Sequence, residues 1–133
     1  MMRATLKAIL IAGGAAAILI SIIHIVFGPS AIPGSVRVNA TMDSEDRFYA
    51  AIFLGFGIAL LWCARAIERR VAFIRFLVSI FFLGGLARII SVLRVGPPNL
   101  FFQAMTALEL LLPVVIWPLL AGMSARESNE DTT

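Results

Sequence analysis

The chain has 133 residues, of which 60% are hydrophobic and only 14% are charged, and its mean hydropathy is +0.96. Soluble domains carry about 25% charged residues, so this composition excludes an ordinary soluble globular domain. The formal net charge of +3 comes from basic residues near the ends of apolar segments, and no basic run is interleaved with aromatic residues. The charge therefore does not indicate nucleic-acid binding.

Four apolar segments are each long enough to cross a hydrocarbon core of about 30 Å as a helix. They are residues 8–27, 48–66, 71–93 and 100–121. Lipid offers no partners for free backbone groups, so each segment must be helical. The predicted fold class is all-α: a polytopic membrane protein with a four-transmembrane-helix bundle, forming one domain over residues 1–122. Residues 123–133 are polar and are predicted to be a disordered C-terminal tail.

The connections between these segments carry their own signals. Residues 28–47 form the longest connection, an extracytoplasmic loop in this prediction, and their prolines and glycines exclude a continuous helix. Asp43 and Asp46 approximate a capping box at the start of the second helix. Gly96 suits a helix C-cap and Asn99 an N-cap. The last two connections are short, so the second, third and fourth helices should be antiparallel neighbours.

The distribution of basic residues predicts the orientation in the membrane. One side of the membrane is assigned Arg3, Lys7, Arg65, Arg69, Arg70, Arg75 and Arg126, and the other Arg37, Arg47, Arg88 and Arg94. Cytoplasmic loops carry the excess of Lys and Arg, so both termini are predicted to be cytoplasmic.

Two charged residues fall inside the apolar segments. Arg88 interrupts the third segment and Glu109 lies in the middle of the fourth. Charged side chains at membrane depth are costly and mark functional sites. At about 1.5 Å per residue, Arg88 lies roughly 8 Å and Glu109 roughly 13 Å from the outer helix ends. Because a tight turn joins these helices, we expect the two side chains to meet.

Further polar residues fall in the same outer half. This predicted cluster adds Arg47, His24, Ser91, Gln103 and Thr106 to Arg88 and Glu109. Gly84 and Gly85 remove bulk beside Arg88, while Gly96 and Pro97 form the turn. Together they predict a polar pocket closed by the first loop. The pair could bind a lipid, quinone or other amphiphile, fix the bundle as a structural clasp, or move protons.

The sequence contains few residues that could form a catalytic or metal-binding site. The acid–base candidates are Glu109, His24 and Asp46, and no nucleophile motif, phosphate loop or paired carboxylates accompany them. His24 is the single histidine, so it is predicted to be an interfacial residue and no metal site is predicted. Cys63 is the single cysteine, which excludes an internal disulfide. No cofactor is predicted, and enzyme activity has no support in the sequence.

Several of these features occur together in one family. The runs DSEDRFYAAIFLGFGIAL and GGLARIISVLRVGPPN, followed by the mid-helix Glu109, resemble the DUF4345 family of small bacterial four-helix membrane proteins. The matching positions are Arg47, Phe48, Gly84, Gly85, Arg88, Ser91, Gly96, Pro97 and Glu109. The resemblance implies a compact bundle, distantly similar to DoxX-like proteins, in the bacterial inner membrane. It implies no activity.

Three functional hypotheses follow. The first is a non-enzymatic membrane protein that binds a lipid or other hydrophobic small molecule near Arg88 and Glu109. The second is a structural or accessory subunit of a larger membrane complex. The third is a small proton-coupled transporter, with a dimer as one possible form. The expected partners are membrane lipids and either other membrane subunits or a second copy of the chain.

Overall fold

The computed structural model describes the backbone of residues 1–130 and the side chains of residues 1–122, and all regular structure in that part is helical. The helices are α1 (Met2–Phe27), α2 (Ala40–Ala64), α3 (Val71–Val95) and α4 (Leu100–Glu130). Short 3₁₀ turns at Gly28–Ala31 and Glu68–Arg70 follow α1 and precede α3. Each α-helix is long and apolar enough to cross a membrane. The prediction of an all-helical chain with four such helices is confirmed.

The start of α2 differs from the prediction. The helix begins at Ala40, so the connection that we expected over residues 28–47 ends at Asn39. The side-chain oxygen of Asn39 accepts a hydrogen bond from the backbone N–H of Met42 at 3.0 Å and so caps the helix. The predicted capping box at Asp43 is therefore wrong, because that residue already lies inside the helix.

The far end of α4 also differs in length. The helix continues to Glu130, past the predicted end at residue 121. The predicted disordered tail covers residues 123–133. Its side chains lie outside the described residues, as does the whole of residues 131–133.

The chain forms two compact units. The α1–α2 unit contains Ala8–Arg65. In it, the backbones of α1 and α2 approach closely at two glycines: a Cβ atom at Gly14 would lie 2.9 Å from the carbonyl oxygen of Gly57, and the reverse distance is also 2.9 Å. Small residues permit such close approach between helices that gain nothing from burying apolar surface in lipid.

The α3–α4 unit contains Met1–Lys7 and the chain from Ala66 onward. Its helices are joined by the turn that the sequence predicts. Gly96, at φ +105°, ends α3 and donates its N–H to the carbonyl of Val92 at 2.9 Å. The side chain of Asn99 accepts from the N–H of Phe101 at 3.0 Å and starts α4. Both predicted caps are confirmed.

The buried apolar side chains of the α3–α4 unit lie mostly away from this turn. They are Leu6, Ile67, Ile74, Leu77, Val78, Ile116 and Leu120. At the same end of the unit, Arg3 forms an ion pair with Glu68. The half of the hairpin nearer the turn contains instead the buried polar residues Thr106 and Glu109.

Candidate functional site

An ion pair connects the two helices of the α3–α4 unit. The Nε–H of Arg88 donates to both carboxylate oxygens of Glu109, at 2.8 and 3.1 Å. The Glu109 side chain is only 7% exposed, whereas that of Arg88 is 40% exposed. The predicted meeting of these residues is confirmed. The ion pair thus joins a buried carboxylate to a guanidinium that is partly exposed on the surface.

The close approach of α4 at this level depends on Gly85. A Cβ atom at Gly85 would lie 2.9 Å from Cδ2 of Leu110 and 3.1 Å from Cβ of Glu109. The neighbouring Gly84 is exposed, and in the described chain no atom other than those of its chain neighbours and its own helix backbone lies within 4 Å of its Cβ position. Of the two glycines that were expected to leave space beside Arg88, Gly84 does so, whereas Gly85 is packed against α4.

Most of the guanidinium of Arg88 remains available. An arginine has five N–H donors, and Nε supplies only one of them. Within the part of the chain that the structure describes, neither Nη atom has a hydrogen-bond acceptor. The Cζ atom lies 5.4 Å from the ring centroid of Phe102, a cation–π distance. Sequence reasoning did not assign this role to Phe102, although its place two turns before Glu109 on one face of α4 is a usable signal.

The remaining predicted residues of this unit serve the backbone. The Thr106 hydroxyl donates to the carbonyl of Phe102 at 2.8 Å, and the Gln103 amide donates to the carbonyl of Pro98 at 2.9 Å. Ser91 is exposed. Of the predicted polar cluster, the structure therefore brings only Glu109 into contact with Arg88 in this unit.

A proline inside α4 removes one backbone donor beside the pair. Pro113 lies inside α4 and is fully buried. Because proline has no N–H, the carbonyl of Glu109, four residues earlier, loses its usual intrahelical donor. Glu109 thus contributes a paired carboxylate and a backbone carbonyl that has no donor at position 113.

A second polar cluster ties the end of α1 to the start of α2. Nε and Nη2 of Arg47 donate to the two carboxylate oxygens of Asp43, at 2.9 and 3.1 Å. Its Nη1 donates to the backbone carbonyls of Ile25 and Val26. These carbonyls belong to the last turn of α1, where a cation is favourable. The side chain that forms the ion pair with Asp43 is thus also a cap for α1.

Gly28 makes room for this cap. It has φ +62°, and a Cβ atom there would lie 2.6 Å from Oδ1 of Asp43 and 2.9 Å from Nη2 of Arg47. A left-handed backbone and close contact with the ion pair coincide at this residue, and only glycine satisfies both.

His24 also has a partner that the sequence did not reveal. Its Nδ1 lies 3.1 and 3.2 Å from the two carboxylate oxygens of Asp46. The sequence predicts an interfacial histidine, and the structure adds this carboxylate partner. Both residues belong to the α1–α2 unit, and the grouping of His24 and Arg47 with Arg88 and Glu109 stays a prediction.

Comparison with known protein families identifies the family of this chain. A family model described as "Domain of unknown function (DUF4345)" matches residues 5–120. The chain belongs to the DUF4345 family. No curated protein and no solved structure matches it significantly.

Both polar clusters of this DUF4345 protein lie within the matched region. Their chemistry differs. In the α1–α2 unit, the charged groups bond to one another and to the backbone, which fixes a helix end. In the α3–α4 unit, the partly exposed Arg88 can still donate several hydrogen bonds to a molecule outside the described chain.

Proposed function

We propose that this DUF4345 protein spans the bacterial inner membrane four times, with both termini in the cytoplasm, and holds a lipid or other hydrophobic small molecule beside Arg88 and Glu109. The length and composition of the four helices support the membrane location. The excess of Lys and Arg at the termini and in the second connection supports the orientation.

The observation that carries the binding proposal is the state of Arg88. Its side chain is 40% exposed on an apolar helix pair, and its Nη groups have no acceptor in the described chain. A polar donor removed from water without an acceptor is unfavourable. At the depth of α3, the available acceptors belong to lipids or to a molecule dissolved among them.

Co-purified molecules test the binding proposal. The full chain is extracted in mild detergent and bound molecules are identified by native mass spectrometry, for the wild type, Arg88→Gln and Arg94→Gln. Arg94 is the matched control because it is an exposed arginine on the same helix, nearer to its end. We expect Arg88→Gln to lose a molecule that the other two proteins retain. Equal retention by all three proteins contradicts the proposal.

The orientation has its own test. A reporter enzyme that is active only in the periplasm is fused after Arg70 or after Pro98. We expect activity only from the second fusion, because Pro98 lies in the connection assigned to the outer side. Activity from the first fusion alone reverses the proposed orientation.

A second candidate function, contact with another membrane protein, has one observation in its favour. Ala51, Gly55 and Ala59 form a small-residue stripe on α2, and no described atom lies within 4 Å of a Cβ position at Gly55. Such stripes allow another helix to pack closely. Gly55→Leu should then abolish co-purification of a partner subunit or of a second copy, and an unchanged assembly rules out this stripe as the contact.

A further inference from the structure

We infer that the molecule beside Arg88 presents neutral carbonyl oxygens, the chemistry of the ester-linked acyl chains of a glycerolipid, and that an anionic head group is not what the site selects. This inference rests on the proposed function, because it names the class of molecule that the same site binds.

The charge of the site is the first argument. Arg88 is already paired with Glu109, 2.8 Å away, so the two side chains sum to zero charge when Glu109 is ionised. A bound anion would be attracted by the guanidinium and repelled by the carboxylate a few ångströms beyond it. It would also lose hydration on leaving the membrane surface, which is costly for any ion. A neutral carbonyl keeps the charge-assisted hydrogen bond and loses far less hydration.

The arrangement of donors is the second argument. Both oxygens of Glu109 bond to Nε, which leaves the Nη1 and Nη2 hydrogens without acceptors in the described chain. Cζ of Arg88 lies over the ring of Phe102, 5.4 Å from its centroid, and further acceptors approach a planar guanidinium in the plane of its N–H groups. The two ester carbonyls of a diacyl lipid are close enough together to accept from the two Nη groups of one arginine.

Depth is the third argument. Arg88 precedes Val95, the last residue of α3, by about 10 Å along the helix. A helix of 25 residues exceeds a 30 Å hydrocarbon core by a few ångströms at each end, so Arg88 starts roughly 7 Å inside it. Ester carbonyls border the hydrocarbon and phosphates lie beyond them, so the carbonyls are the nearer acceptors for a long arginine side chain. The exposed Leu93 and Phe101 offer apolar contact to the attached acyl chains.

The test compares lipids that differ in one feature at a time. The full chain is placed in nanodiscs of diester or diether phosphatidylcholine, and of diester or diether phosphatidylglycerol, with equal chain lengths. Lipids retained after release from the nanodisc are counted by native mass spectrometry in competition experiments. The diether lipids lack the carbonyl oxygens, and the two head groups differ in charge.

We expect the wild type to prefer diester over diether lipid by about tenfold or more, the effect of one lost charge-assisted hydrogen bond. The preference should be the same for both head groups, absent in Arg88→Gln and kept in Arg94→Gln. Glu109→Gln leaves Arg88 with an uncompensated charge, so this variant should gain a preference for phosphatidylglycerol. This gain in preference for phosphatidylglycerol tests the inference even if Arg88→Gln does not fold.

The remaining outcomes separate the two proposals. Retention that depends on Arg88 but follows head-group charge, or ignores the ester linkage, overturns the carbonyl inference and leaves the proposed function standing. An ester preference that persists in Arg88→Gln overturns the assignment to this site. Equal lipid retention by the wild type and Arg88→Gln in all four lipids overturns both proposals.

Discussion

Replacing the Arg88–Glu109 pair by apolar residues separates a structural role from a functional one. The variants are Arg88→Met, Glu109→Leu and the two changes together. Removing one member of a fully buried pair costs about 3–5 kcal/mol, because the other charge is left without a partner. Here Arg88 is 40% exposed, so screening reduces the cost of Arg88→Met to about 2–3 kcal/mol.

The other two variants should be milder. Glu109→Leu leaves a partly exposed guanidinium that can find water or lipid oxygens, so we expect it to cost about 1–2 kcal/mol. The double variant removes both charges and the cost of desolvating them. Such replacements are often neutral or stabilising, so its stability should lie within about 1 kcal/mol of the wild type. The single changes should therefore be strongly non-additive.

The assay is reversible unfolding in mixed micelles, with sodium dodecyl sulfate as the denaturant and circular dichroism as the readout of helix content. All four proteins are measured in the same lipid and detergent. A double variant at least about 2 kcal/mol less stable than the wild type would show that the ion pair stabilises the fold. That result would refute the reasoning that the pair contributes little net stability and is present for binding. Additive single effects would show that the two side chains do not interact.

Three further predictions concern local packing and capping, each measured as a shift of the unfolding midpoint in the same micelles. Gly85→Ala should destabilise by about 1–3 kcal/mol, because its Cβ meets α4 at 2.9 Å, whereas Gly84→Ala should be neutral or stabilising by up to about 1 kcal/mol. Equal effects of the two would contradict the packing at Gly85. Gly28→Ala should cost at least about 1–2 kcal/mol from its left-handed backbone, with a further loss from contact with Asp43, and a silent substitution would argue against that conformation. Asn39→Ala should cost about 1 kcal/mol and Asn39→Ser much less, and equal losses would exclude a side-chain cap.

The α3–α4 hairpin could be predicted from the sequence because its signals are local. Two apolar segments separated by Gly96–Asn99 must be antiparallel neighbours, and helix rise then fixes the depth of each polar residue. The two depths, roughly 8 Å for Arg88 and roughly 13 Å for Glu109, differ by about the reach of an arginine side chain, so the sequence alone predicts that the two residues meet. The number of N–H groups that Arg88 has left for another acceptor cannot be predicted from the sequence, because it depends on which nitrogen the Glu109 carboxylate contacts.

The α1–α2 unit was harder to predict because its polar contacts are not local. Residues 40–47 are too polar to count as part of an apolar segment, so they were assigned to a loop. In the structure, three of their charged side chains, Asp43, Asp46 and Arg47, have partners within the unit. Asp46 lies beside His24, and Arg47 reaches carbonyls of α1, over separations of about 20 residues. Such pairs depend on the crossing geometry of α1 and α2, which cannot be predicted from the composition of the two helices.

The contrast between the two arginines explains why one of them is the better functional candidate. All three side-chain nitrogens of Arg47 donate hydrogen bonds within the α1–α2 unit, and their acceptors are a carboxylate and the carbonyls at a helix end. Among the described residues of the α3–α4 unit, Arg88 donates through Nε alone. A structural arginine needs no further acceptor. The Nη groups of Arg88 have no acceptor in the described chain, so at the proposed depth in the membrane a lipid or a bound molecule would have to supply one.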